Sequence, residues 1–429
     1  MAENDREYYR RLIELAMSAG AIMMSAGAET YRVEDTILRI LSTAEVANAD
    51  AFVLRTGITI TLSDPKYKTI SMTRRVRSGP PHLSKICDVN TISRNLCTGN
   101  ITLDEAEERM KEAAKTTLYS DKNLLFAHIL ATSGFAYVFG GGFLEAFIAC
   151  FVGILLGFNN IYLSRHIKKA FLSDLMGATI VVISSVGISF VLQKFGIHAD
   201  CQYIIAGSLM PLVPGTAFTG AVRDILAGDY VSGTARAMEA LLVATSVALG
   251  VAFGFVVTDL FGFALDFEFT LAGIHALNEH AVFAVIFTFT AIVGFCMVFS
   301  CPHKFFLACC INSAACWAVY LFCVSLGATS VWATLFSACF VDLVSQILAR
   351  KMKAPVFMFF VIGVLPLVPG YGIYKVAYDM FSGGDVGASL TNALLLAGAV
   401  ALAVIVTDTI IQLFVRVYRK TVGKIVNKA

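Results

Sequence analysis

The sequence predicts a polytopic α-helical membrane protein, with about ten transmembrane helices in two inverted five-helix repeats and a small N-terminal α+β cytoplasmic domain. Three observations predict it. Hydrophobic residues make up 57% of the 429 positions and the mean hydropathy is +0.73, whereas a soluble domain holds about 45 to 50% apolar residues. Charge is uneven: residues 1–122 hold 17 basic and 17 acidic side chains, leaving 16 and 14 for the other 307 positions. Finally, Met210-Pro211-Leu212-Val213-Pro214-Gly215 returns as Leu365-Pro366-Leu367-Val368-Pro369-Gly370, and each copy lies inside an apolar segment. Thirteen residues after its first proline, each copy is followed by an aspartate, Asp224 or Asp379. Proline removes a backbone donor and crowds the turn before it, and broken backbone is tolerated in a bilayer only against protein or a water-filled cavity. A duplicated break therefore points to a pathway through a membrane.

The head comes first in the chain. Helical spacing of Leu12, Ile13, Ala16, Met17, Ile22 and Met23 predicts a helix over 6–26. Val33, Ile37, Ile40 and Leu41 predict another over 29–43, with Thr30 as its cap and Glu34 completing that cap. Alternating β-branched residues predict strands over 51–62 and 69–76, joined as a hairpin by Ser63-Asp64-Pro65-Lys66. A helix near 82–97 and a charged helix opening at Asp104-Glu105-Ala106-Glu107-Glu108 lead to the first span. The opening Met1-Ala2-Glu3-Asn4-Asp5-Arg6 has no basic region leading into an apolar core, so no cleavable signal is expected.

At about 20 apolar residues per crossing, ten spans follow: 123–140, 143–162, 170–193, 201–222, 237–258, 280–300, 304–325, 328–349, 356–378 and 388–415. With the head inside, the cytoplasmic loops carry Arg165, Lys168, Lys169, Arg223, Arg236, Lys304, Arg350, Lys351, Lys353, Arg416, Arg419, Lys420 and Lys424. The opposite side receives Lys194, Lys375 and an acidic loop with Asp259, Asp266, Glu268 and Glu279. This asymmetry fits the positive-inside rule, and the expected location is the cell membrane.

The repeat extends beyond the proline phrase. Gly134-Phe135-Ala136-Tyr137-Val138-Phe139 matches Gly294-Phe295-Cys296-Met297-Val298-Phe299 at an offset of 160, which Cys150 and Cys310 share. Gly228 and Gly383 keep the 155-residue offset of the prolines. The expected organisation is a head over 1–122, a first repeat over 123–260 and a second over 275–418. Five spans per copy is an odd number, so the second copy enters from the opposite side. Inverted repeats with interrupted helices are an architecture of secondary transporters, whose site lies where the repeats meet. Of the eleven cysteines, nine lie in or beside apolar spans without Cys-x-x-Cys spacing. They read as small hydrophobes, and no disulfide framework, metal or cofactor is expected.

Ala19-Gly20 and the segment Ser25-Ala26-Gly27-Ala28-Glu29-Thr30-Tyr31-Arg32-Val33-Glu34, followed by the hairpin head, ten spans and the Pro-Leu-Val-Pro-Gly phrase, resemble the threonine/serine exporter family over essentially the whole chain. That family includes two-gene versions, in which one chain resembles residues 1 to about 260 and its partner about 275 to 415, and some of these are associated with dicarboxylate export. The resemblance implies efflux of an amino acid or small organic acid driven by the proton gradient.

Twelve residues are candidates for the transport site. Pro211, Pro214 and Gly215, and likewise Pro366, Pro369 and Gly370, free carbonyls and a half-helix amino end that suit a zwitterion, or else simply kink their helices. Asp342 lies mid-span, where a lone charge costs on the order of 3 kcal/mol on insertion scales; it reads as a proton carrier, a partner for a substrate ammonium, or half of a buried polar pair. Its equivalent in the first copy is Gly187, so the repeat does not support it. Asp224 and Asp379 match in both copies near span ends, as anchors or gates. Lys375, a turn before Asp379, pairs with it, binds a carboxylate or snorkels to the surface. Asn312 and Asn392 hydrogen-bond between helices or line the cavity. Arg32 and Glu34 do not share a helix face and read as docking residues of the head. Nucleophile-elbow, zinc-protease, P-loop and dinucleotide motifs are absent, so no enzymatic role is expected. The expected partners are a small amino acid (a dicarboxylate is the alternative), protons and the lipid bilayer. No nucleic acid is expected, and homo-oligomerisation is left open. A membrane-anchored hydrolase with its active site in the head is the alternative from another class.

Overall fold

A computed structural model describes residues 2–44, 48–64, 68–167, 169–263, 281–368 and 370–426. Pro369, the turn positions Pro65 and Lys66, Lys168, and the loop acids Asp266, Glu268 and Glu279 lie outside the described residues. The helices are α1 (Ala2–Ser25), α2 (Thr30–Leu41), α3 (Leu83–Cys97), α4 (Leu103–Lys115), α5 (Asp121–Val138), α6 (Phe143–Phe158), α7 (Ala170–Lys194), α8 (Cys201–Leu209), α9 (Gly215–Leu226), α10 (Tyr230–Leu260), α11 (Ala281–Val298), α12 (His303–Ser325), α13 (Ser330–Met352), α14 (Val356–Gly363), α15 (Gly370–Ser382) and α16 (Val386–Val426). The chain forms two compact units. One comprises Met1–Asn123, Pro214–Leu242 and Cys296–Phe306, and the other Leu124–Val213, Val243–Phe295 and Leu307–Ala429.

In the first unit, the expected hairpin proves to be a three-stranded antiparallel meander of β1 (Asn48–Leu54), β2 (Gly57–Asp64) and β3 (Lys68–Arg75), in the order β1-β2-β3. The single strand expected over 51–62 is corrected to two, because the chain reverses at Arg55-Thr56 and pairs Leu54 with Gly57. A two-residue hairpin loop interrupts the alternation too briefly to show in the pattern. Val53, Ile58, Ile60 and Leu62 are buried on one face. The other face carries hydroxyl pairs across β2 and β3: Thr59–Thr73 and Thr61–Ser71 at 3.1 Å, and Ser63–Thr69 at 3.3 Å. Helices α1 and α2 close the core with Leu12, Ile13, Ala16 and Met17 and with Val33, Ile37, Ile40 and Leu41. A Cβ at Gly20 would lie 2.7 Å from Ile37 Cδ1 and 3.0 Å from Ile58 Cδ1, so the glycine seats both side chains.

The cap of α2 also differs from expectation. Its N-cap is Glu29, which makes no side-chain cap bond. Thr30 instead gives its backbone N–H to Asp224 Oδ1 at 2.9 Å and its hydroxyl to Asp224 Oδ2 at 3.3 Å. A carboxylate distant in sequence fills the orphan-donor site that a local side chain usually fills. Helix α4, by contrast, opens with a complete local capping box between Thr102 and Glu105.

By length and composition, seven helices among the described residues can cross a membrane, with two further crossings if each interrupted pair, α8–α9 and α14–α15, counts as one. Helix α5, the first of the ten expected spans, does not qualify. Its opening Asp121-Lys122-Asn123 and its His128 dilute an otherwise apolar helix. In the second unit, α13 packs extensively on α16 and α14. Helices α5 and α11 cross at glycines in a reciprocal way. A Cβ at Gly134 would lie 2.7 Å from the Phe287 carbonyl oxygen and 2.9 Å from the Ala291 nitrogen, while one at Gly294 would meet the Ala127 carbonyl and lie 2.9 Å from the Ala131 nitrogen. The neighbours are the residues seven and three positions before the partner glycine in each direction, and Phe135 meets its repeat counterpart Phe295 at 5.6 Å between ring centroids. Reciprocity of this kind is what a two-fold relation produces.

Candidate functional site

Both proline phrases follow one backbone course. In each, a helix (α8 or α14) is followed by a 3₁₀ turn, Met210–Leu212 or Leu365–Leu367, and then by an extended valine. Val213 has φ −69° and ψ 131°, and Val368 has φ −64° and ψ 131°. The cause is local: a residue before proline is pushed out of the helical region by the proline ring. A new helix then starts at Gly215 or Gly370 and ends at a left-handed glycine, Gly228 at φ +89° or Gly383 at φ +75°. The second break lies against the first, because a Cβ at Gly370 would lie 2.6 Å from Met210 Sδ and 2.8 Å from Val213 Cγ2.

Beside the second break, the second unit contains a cavity of about 350 Å³, at the small end of the ligand-pocket range. Pro366, Lys375, Asp379 and Asn392, four of the sequence candidates, line it together. Lys375 and Asp379, one turn apart on α15, form an ion pair, and Ser389 donates its hydroxyl to the other Asp379 oxygen. Asp379 is 3% exposed. The turn that brings α16 back over it needs glycine twice: Gly383 is left-handed, and a Cβ at Gly384 would lie 2.6 Å from Asp379 Oδ1. Trp317, Tyr320 and Tyr371 are aromatic wall residues, with Trp317 stacked on Tyr320 at 4.8 Å. The buried Trp317 Nε1–H has no hydrogen-bond partner among the described residues. One cation, one anion, an open donor and aromatic faces can together hold a small molecule of both charges.

The other candidates lie elsewhere. In the second unit, Asp342 is fully buried on α13. Asn312 on α12 donates to Ser345 Oγ at 3.0 Å and to the Phe359 carbonyl at 3.3 Å, while its buried Oδ1 has no partner among the described residues. Neither residue lines the cavity. Pro211 lies in the first 3₁₀ turn, and Pro214 and Gly215 open α9.

Asp224, at the end of α9, belongs to a buried ionic cluster within the first unit. Besides Thr30, it meets Arg236 Nε at 2.8 Å. Fully buried Glu29 pairs with Arg223 at 3.4 Å and Arg32 at 3.7 Å, and Arg236 Nη1 donates to the Gly27 carbonyl at 3.2 Å. Nearby, Arg55 pairs with Glu239 at 3.0 Å. The Ser25 to Glu34 phrase is thus the place where α2 is fastened to α9 and α10. Sequence reasoning did not single out Trp317, Tyr320, Thr334, Tyr371 or Ser389 as cavity residues. Trp317 offered the one usable signal, as one of only 2 tryptophans in the chain.

Residues 14–258 match the ThrE family model, described as "Putative threonine/serine exporter", and residues 284–410 match a second model described as "Threonine/Serine exporter, ThrE". The chain belongs to the threonine/serine exporter family. Its relatives in the threonine/serine exporter family are distant in sequence and similar in extent. It is 22% identical over 409 residues to the "Threonine/serine exporter" of Corynebacterium glutamicum, covering 93% of this chain and 82% of that protein. To the "Probable threonine/serine exporter" of Mycobacterium tuberculosis it is 19% identical over 404 residues, covering 93% of this chain and 75% of that protein. No solved structure matches the chain. Family and apolar helices together make it a multi-pass membrane protein of an exporter family.

Proposed function

We propose that this chain exports threonine, serine or a similar small hydroxylated amino acid across the cell membrane, in exchange for protons, by alternating access between two inverted repeats, with its N-terminal head in the cytoplasm. The carrying observation is the Lys375–Asp379 pair in the wall of the cavity beside the second break. An amino-acid zwitterion exchanges with this pair charge for charge: its carboxylate faces Lys375 and its ammonium faces Asp379. Ser389, Asn392 and the open Trp317 N–H supply hydrogen bonds for a substrate hydroxyl. A dicarboxylate would set its second carboxylate against Asp379, a like-charge contact that works against binding. The reciprocal glycine crossing of α5 and α11 and the shared course of the two breaks support the repeat. Asp342 is the proposed proton carrier, as an ionisable group buried in the transport body.

Purified protein in proteoliposomes tests this reading. With an imposed proton gradient, threonine or serine counterflow is expected and succinate counterflow is not. Succinate movement without amino-acid movement would overturn the substrate assignment. Asp342→Asn is expected to abolish the pH dependence of transport while the protein still folds, and unaltered proton coupling would remove Asp342 from the mechanism.

A further inference from the structure

The first unit contains a second concave site, a groove of about 690 Å³ between one face of α1, α4 and the end of β3. We propose that it binds an organic anion bearing phosphate. The face of α1 contributes Arg11, Glu14, Leu15, Ser18, Ile22 and Ser25, spaced as one helical stripe. The charges around the groove are not balanced. Arg11 is occupied by Glu107 at 3.0 Å and by Asp104, and Glu14 pairs with Arg10 at 3.2 Å. Lys85 donates to the Ala114 carbonyl at 2.8 Å. Arg74 and Arg75 at the end of β3, Arg77 just beyond it, and Lys111 on α4 line the groove with no ion pair among the described residues. Glu7 is the one lining acid that forms no ion pair among the described residues. Four open cations from two elements thus surround a floor that includes the buried side chains of Leu15, Val76 and Met110.

Open cations along an exposed strand would ordinarily be a solvated edge. Here they line, together with Lys111, one cavity that has an apolar floor, and a guanidinium fork matches phosphate oxygens bidentately. The buried apolar floor suits a ligand that carries an apolar or planar group as well. That phosphate chemistry is offered by a soluble metabolite and by a phospholipid headgroup alike. This inference is independent of the transport reading, because it concerns residues that the cavity beside the second break does not use.

The test is calorimetric titration of the full chain in phosphatidylcholine nanodiscs at constant ionic strength. The probes are inorganic pyrophosphate for charge and a nucleoside diphosphate for charge with an added planar group. Saturable single-site binding is expected, tighter for the nucleoside diphosphate. The double change Arg74→Gln with Arg77→Gln should weaken binding at least tenfold, with an unchanged unfolding midpoint because both side chains are exposed. Lys111→Gln, on another element, should weaken it independently. Absence of saturable binding, or equal affinity in both variants, overturns the site, and equal affinity for the two probes overturns the apolar part. Repeating the titration with phosphatidylglycerol in the nanodisc identifies the source. Competition marks a headgroup and its absence a soluble anion, and either result upholds the site.

Discussion

At the scale of single residues, Asp379 and Lys375 concentrate the testable chemistry, since both are charged, adjacent in space and in the wall of a small cavity. If the pair receives a zwitterion, Asp379→Asn removes a charge-assisted bond worth about 1.5 to 3 kcal/mol, or about tenfold to a hundredfold in affinity. Equilibrium binding of labelled threonine to the purified protein checks this, and an unchanged affinity would detach Asp379 from the substrate. Gly370 makes a steric claim instead. Valine there drives methyl groups into Met210 and Val213, and overpacking of this sort costs about 1 to 3 kcal/mol. The variant should unfold at a lower temperature, and Met210→Ala in the same background should restore part of the loss. Pro366, Lys375, Asp379 and Asn392 were legible from sequence because proline, charge and a side-chain amide are conspicuous in an apolar stretch. Trp317, Tyr371 and Thr334 were not, because an aromatic or hydroxyl residue at helical spacing reads the same whether it faces lipid, a neighbouring helix or a cavity.

At the scale of elements, the N-terminus of α2 depends on a carboxylate from α9. Asp224→Asn leaves Arg236, 2% exposed, without its counter-charge, and breaking a buried pair by removing one partner costs about 3 to 5 kcal/mol. Loss of protease resistance in residues 25–41 would reveal it, and a variant as resistant as the parent would rule out a stabilising role. Helix α3 carries a pH-dependent cap, in which the Lys85 backbone N–H donates to His82 Nδ1 at 3.4 Å. Burial first, and then the charge of Lys85, hold the His82 imidazole below its usual pKa. The unfolded chain therefore takes up a proton at higher pH than the native one does. The stability contributed by neutral His82 is present above about pH 6.5 and is lost as pH falls through the lower folded pKa. Urea unfolding followed from pH 8 to pH 5 should show a decline that His82→Asn flattens. The sequence located the four helices of the head. It concealed the reversal at Arg55-Thr56, where alternation continues across the loop, and the cap of α2, whose partner lies 194 residues away.

At the scale of the whole molecule, the head's proposed side of the membrane rests on loop charges, and a cysteine can report it. Cys97 is exposed on α3, and its thiol donates to the Arg39 carbonyl at 3.2 Å. Partial desolvation beside the Arg39 carbonyl holds that thiol above its usual pKa, so labelling needs mildly alkaline buffer. A membrane-impermeant maleimide should label inverted vesicles and not intact cells, with Cys97→Ser as the blank. Labelling of intact cells would place the head outside. The membrane class was legible because composition and charge partition are global properties, whereas α5 falls short of the other spans by composition because its polar opening and His128 dilute an otherwise apolar helix. The seat of Gly370 on Met210 and Val213 has one further consequence, which concerns descent rather than transport. These positions lie in different copies of the duplicated phrase, so bulk gained in one copy must be surrendered in the other. Across the family, a larger residue at the position of Gly370 should be found only where Met210 or Val213 has shrunk, so that the two copies of the phrase change as a pair.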